Sequence, residues 1–183
     1  TQTLDASFTV IATQNPIEHE GTYPLPEAQL DRFLVKVEVG YPSEADEDEI
    51  LARAQLGVSA NDPSALGVAR VVSREDLLRL RPLAGQVRVE DGVRRYVRDL
   101  IRATRSSAMI LLGAGPRAGI HLLVAARWAA ALDGRLFVTP DDVQRMLVPV
   151  VSHRLRLAPE AELDGLDARR VLAMVQSRIP VPR

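Results

Sequence analysis

The amino-acid sequence predicts a mainly α-helical protein introduced by a short mixed segment. Two alternating apolar runs, residues 8–13 and 33–39, lie within the first forty residues and read as strands. Gly40-Tyr41-Pro42 interrupts that pattern, and beyond it almost every apolar run repeats at helical spacing behind a capping residue. A boundary is therefore placed after residue 40, dividing the chain into residues 1–40 and 41–183.

The elements follow in order. After the first strand comes an irregular loop through Asn15, Pro16, Gly21 and Pro24, then a short helix from about Glu27 to Asp31 and the second strand. Ser43 caps a helix through Leu56, and Glu44, Asp46, Glu47, Asp48 and Glu49 sit where the helix dipole favours negative charge, which reads as capping rather than metal binding. Ser73 and Asp76 open another helix, which Pro82 is expected to limit. Val93, Tyr96, Val97, Leu100, Ile101 and Thr104 share one face of the next, with Arg94, Arg95, Arg98, Arg102 and Arg105 on the solvated sides. Pro116 suits the first turn of a long helix through Leu132, ended by Gly134. Thr139-Pro140-Asp141-Asp142 caps a helix that buries Val143, Met146, Leu147 and Val150 and that Pro149 is expected to kink. A last helix runs around Ala168 to Ser177, before Pro180. Trp128, Phe137 and the leucines of this helical part read as core.

Composition narrows the function. The 183 residues suit one compact domain, or a small core fragment joined to a second small domain, and 46% are apolar. No apolar run approaches the roughly 18 residues of a membrane span. There is no cysteine, and His19, His121 and His153 are too scattered in sequence to suggest a ligand cluster. A cytoplasmic setting fits, and residues 1–12 lack the pattern of a secretory signal, so the start reads as an artificial boundary or a cleavage point. The net charge of −1 argues against a nucleic-acid surface. Lys36 is the one lysine and lies in a strand pattern, so the glycine-rich loop ending in Gly-Lys-[Ser/Thr] that cradles phosphates is not present. Asp48-Glu49 has no apolar strand before it and cannot serve as the usual magnesium-holding pair. By itself the chain has no evident catalytic centre, and His19-Glu20 reads as an exposed loop.

Four stretches carry a more specific signal. They are Ala12-Thr13-Gln14-Asn15-Pro16, the run from Gly21-Thr22-Tyr23-Pro24 to Leu30-Asp31-Arg32-Phe33, Gly113-Ala114-Gly115-Pro116-Arg117, and Asp133-Gly134-Arg135 leading into Val138-Thr139-Pro140-Asp141-Asp142. The sequence resembles the MoxR family of AAA+ ATPases through these motifs and in its closing Val181-Pro182-Arg183. Gly115 stands where serine is more usual in that family. The resemblance covers only the later half of the family's domain pair. It implies that residues 1–40 are the trailing part of an AAA+ α/β nucleotide-binding core and residues 41–183 an α-helical lid bundle.

The same resemblance implies roles for three residues. Asn15 would be the first sensor, Arg32 the arginine finger that reaches into a neighbouring subunit's site, and Arg117 the second sensor on the lid. A complete subunit would bind ATP and Mg²⁺, assemble into a ring, expected to be a hexamer, and drive chaperone-like remodelling, with von Willebrand factor A domain proteins as partners. The family's sheet order places the P-loop strand between the two strands retained here, so neither has its neighbour within this chain. Alternatives are a non-enzymatic helical adaptor, a magnesium-chelatase-like subunit and a nucleic-acid-acting AAA+ subunit.

Overall fold

A computed structural model describes residues 2–14, 25–59 and 62–182. Its helices are α1 (Glu27–Leu30), α2 (Glu44–Gln55), α3 (Arg74–Gly85), α4 (Asp91–Ser106), α5 (Pro116–Leu132), α6 (Pro140–Val151), α7 (Pro159–Leu163) and α8 (Ala168–Ser177). Two short strands, β1 (Ile110–Leu112) and β2 (Arg156–Leu157), pair antiparallel with Ile110 opposite Leu157. The protein is thus mainly α, as the sequence predicts. By contacts the chain groups into two units. One comprises residues 1–8 and 37–79, the other residues 9–36 and 80–183.

The first unit carries α2, whose N-terminus is closed by a reciprocal capping box: Ser43 Oγ accepts from the Asp46 amide and Asp46 accepts from the Ser43 amide. None of its residues is buried, which agrees with the acidic run being capping chemistry on a solvated helix. Also in this unit, Asp5 forms an ion pair with Arg74 and accepts from Ser7.

The second unit holds the core. The six residues expected on one face of α4 are the six that are buried there, and all five arginines flanking them are exposed. Leu100, Leu122, Leu147 and Leu172, from α4, α5, α6 and α8, are fully enclosed. Alanines 118, 125, 126, 129 and 130 let α5 approach its neighbours closely. α6 begins at a second capping box, Thr139 with Asp142, and Asp142 is only 2% exposed because its carboxylate also takes both terminal nitrogens of Arg135 at 2.6 Å.

Several local expectations are corrected. Residues 8–13 and 33–39 form no strand; Ile11 is 88% exposed, and the Lys36 amide donates to the Pro149 carbonyl of α6 rather than to a sheet. A strand is stabilised by its neighbour, and the described residues supply none beside either segment. Pro82 does not end α3, which continues to Gly85 and buries Ala84; only a few further residues have to tolerate the missing amide. Phe137, read as core, is 48% exposed, since its backbone bridges to Arg88 while Val138 turns inward. Leu132, Leu136 and Leu163 are also exposed, and Trp128 is half-buried. The β1–β2 pair and α7 are too short to leave a periodic signal.

Candidate functional site

The positions of interest cluster at the start of α5 and at the turn after α1, both in the second unit. The loop before α5 is gripped by the end of α4. Thr104 Oγ1 donates to the Ile101 carbonyl at 2.7 Å and accepts from the Ala114 amide at 3.0 Å, while Arg105 Nε donates to the Ala114 carbonyl at 2.8 Å. Gly113 lies so close to the Arg105 backbone that a Cβ there would come within 2.8 Å. Gly115 then serves as the N-cap with no side-chain capping bond, Pro116 occupies the first turn, and Arg117 projects from it with half its side chain exposed.

Arg117 Nη1 bonds to Asp31 Oδ2 at 2.5 Å. The second oxygen of the same carboxylate accepts from Arg154 Nε at 3.1 Å. Asp31 therefore bridges two guanidinium groups, one at the surface and one whose side chain is 1% exposed. The remaining nitrogens of Arg154 donate to the main-chain oxygens of Asp31, Phe33, Leu34 and Val150 and to His121 Nδ1. The chain from Asp31 to Leu34 is thereby fastened to the end of α6 by one buried side chain. Arg32, in the middle of that turn, is exposed.

Electrostatics follow from this packing. Burial lowers the Arg154 pKa from its ordinary value, and the bonds to Asp31 oppose the shift. Burial and then the Arg154 charge lower the pKa values of His121 and His153. His121 Nδ1 lies 2.6 Å from Arg154 Nη2. His153 Nε2 bonds the Phe33 carbonyl at 3.3 Å, and its Nδ1 is buried without a hydrogen-bond partner among the described residues.

The AAA lid domain family matches residues 102–175, and the ATPase family associated with various cellular activities (AAA) matches residues 1–35. Chaperone MoxR1 of Mycobacterium tuberculosis is 40% identical over 189 residues, covering 98% of this chain and 48% of MoxR1. YeaC of Bacillus subtilis, a protein carried as uncharacterized, is 38% identical over 184 residues, covering 100% of this chain and 55% of YeaC. The crystal structure of a candidate ATPase from Cytophaga hutchinsonii superposes with a TM-score of 0.85 at 33% identity, over 98% of this chain and 56% of that one. This chain belongs to the MoxR family of AAA+ ATPases. It spans about half the length of the relatives it matches.

Of the three site residues expected from the MoxR resemblance, Arg117 bonds Asp31, the residue before Arg32, while the Arg32 side chain is exposed. Asn15 lies outside the described residues. Sequence reasoning missed Asp31, Arg154, His121 and His153 as members of one cluster. A basic side chain just past a helix C-terminus often bonds the last carbonyls, as Arg154 does with Val150, and that was the one signal available. The histidines, 32 residues apart from 121 to 153, come to the same Arg154 and Phe33 groups because α5 and α6 pack against each other.

Proposed function

We propose that this chain is the sensing and coupling half of a MoxR-type subunit that binds ATP with Mg²⁺ and uses its hydrolysis to remodel or mature partner proteins. On this reading residues 1–40 end the nucleotide-binding core and residues 41–183 form the lid. Arg117 is the second sensor, Arg32 the finger offered to a neighbouring subunit, and Asn15 the first sensor. The observation that carries the proposal is the placement of Arg117. Its guanidinium stands half-exposed at an α5 N-terminus that no side chain caps, where backbone dipoles and a cation both favour a phosphate group.

The residues present fit a nucleotide's phosphates but not its metal. Among the described residues no group of three acidic or histidine side chains could hold an ion, so the Mg²⁺ ligands are assigned to other sequence. Bound Mg²⁺ would neutralise charge on the phosphates during transfer. In this chain Arg117 would orient the nucleotide against the lid, and Arg32 would place a fixed cation on the transferred group across a subunit boundary. Ring assembly, a hexamer in this proposal, follows from a finger acting in trans, and von Willebrand factor A domain proteins are the proposed partners. A cytoplasmic location is part of this proposal; no described helix is long and apolar enough to cross a membrane.

The test is phosphate release from ATP. The 183-residue chain alone is expected to stay at background, while the full-length subunit turns over and loses about 10³-fold or more of its rate on Arg32→Ala. Turnover by the chain alone would refute the absence of a centre. Full activity in the Arg32→Ala ring would remove the finger.

A further inference from the structure

Asp31 precedes Arg32 in sequence and ties together two arginines of very different exposure. Its oxygens take Arg117 at 2.5 Å and Arg154 at 3.1 Å. The Arg117 side chain is 53% exposed and that of Arg154 is 1% exposed, so the first is open to a competing anion and the second is not. Arg154 cannot leave the turn without abandoning several main-chain acceptors at once, from Asp31 to Leu34. Among the described residues Arg117 has only the one carboxylate as a hydrogen-bond partner and can exchange it for a phosphate oxygen, an anion of greater charge. Loss of that partner leaves Asp31 to Arg154 alone and removes the restraint on the outer side of the turn.

We infer that Asp31 is a positioning residue that transmits nucleotide engagement at Arg117 to the turn carrying Arg32, with Arg154 as its fixed anchor. The inference rests on the proposed roles of Arg117 and Arg32. It adds what those roles do not contain: a physical link within one chain between the residue that senses nucleotide and the residue that acts on the neighbour's. The link has two arrangements, Asp31 shared between two cations or held by one, which is the condition for a coupling rather than a static brace.

Hydrogen exchange on the full-length subunit, with and without a non-hydrolysable ATP analogue, tests this without relying on turnover. The reporter is the Lys36 amide, whose bond to the Pro149 carbonyl registers how firmly the segment sits on α6. In the wild type the analogue is expected to change exchange in residues 33–36 by about fivefold or more. Asp31→Asn keeps the size of the side chain and should abolish that change while leaving the analogue's Kd within about threefold. Arg117→Ala should abolish both. In ATPase assays Asp31→Asn should lower kcat about tenfold with KM nearly unchanged, because the finger is misplaced rather than the nucleotide lost. Arg156→Ala, which removes an exposed pair with Glu27 nearby, is the control and should change neither.

An analogue-dependent change that survives in Asp31→Asn would overturn the inference while leaving the proposed function intact. So would a loss of analogue affinity in Asp31→Asn as large as that in Arg117→Ala, since Asp31 would then belong to the binding site itself. A wild type that binds no analogue would overturn both, and an unchanged Arg117→Ala affinity would overturn the second-sensor role first. If Asp31→Asn unfolds, Arg154→Lys provides the second variant. It keeps the charge but loses the fork of donors, and should uncouple exchange in residues 33–36 from the analogue in the same way.

Discussion

Replacing Gly113 by alanine is expected to damage the start of α5, whereas the neighbouring change Gly115→Ser should not. Neither glycine has a positive φ, so the difference is one of space and capping rather than backbone conformation. A Cβ on Gly113 would stand 2.8 Å from the Arg105 Cα, N and Cγ. Two of these are backbone atoms of a well-packed helix, and reaching ordinary contact at 3.4 Å requires a shift of 0.6 Å, the difference of the two distances. Overpacking of that kind costs about 1–3 kcal/mol. For a chain of this size, that corresponds to a fall in Tm of roughly 2–12 °C. A Cβ on Gly115 meets nothing within 4 Å, and a serine hydroxyl at this N-cap adds a bond that glycine lacks, stabilising by a few tenths of a kcal/mol. Thermal melts followed by circular dichroism distinguish the two. Equal losses in both variants, or a Gly113→Ala protein as stable as the parent, would show that the α4–α5 contact is not the constraint described here.

Three further outcomes follow from the same unit. Asp142→Asn should cost about 3 kcal/mol in chemical denaturation, since it removes the two-pronged bond to Arg135 at a buried capping box and leaves that guanidinium only the exposed Asp133 carboxylate. Burial raises the Asp142 pKa, but the Arg135 and Thr139 bonds outweigh it and hold the group at about 2 against an ordinary 3.8. A lowered carboxylate pKa stabilises the fold above the unfolded value, so up to about 2 kcal/mol should be lost in acid titration as pH falls from near 4 through 2, and the Asp142→Asn protein should lack that step. His121 and His153 have lowered pKa values from burial and from Arg154, so the unfolded chain binds protons first; stability should fall as pH drops below about 6.5, and His153→Gln should flatten that slope in pH-dependent melts. Leu100→Ala, at a fully enclosed position, should cost about 2–5 kcal/mol in the same melts.

The helical elements were legible because each carries its own local code. The reciprocal caps at Ser43 and Thr139, the proline at the start of α5 and the six-residue stripe of α4 are short-range patterns, and the structure reproduces their positions to within a residue or so. The two strands of the opening segment failed for the opposite reason. An alternating run states only that a segment suits a sheet; whether it enters one depends on a partner, and Val35 packs against the helical core instead. The candidate site was half legible. Arg32 and Arg117 stood in recognisable motifs, but nothing in either motif said that the carboxylate beside Arg32 would bond Arg117 and Arg154.

The arginine bias of the chain takes on a specific meaning at this cluster. Residue 154 has to reach main-chain oxygens from Asp31 to Leu34, the Asp31 carboxylate and His121 from one buried position. Only a planar fork with five donors can divide itself among so many acceptors, and only a group with a very high ordinary pKa stays charged when burial lowers it. A lysine there would offer three donors from a single atom and would lose its proton more readily. The buried charge is therefore better explained by geometry than by net stability, since a buried ion pair returns little free energy after desolvation. What it secures is the path of the chain next to Arg32. A residue that must present a cation to a neighbouring molecule gains most from a turn that cannot drift.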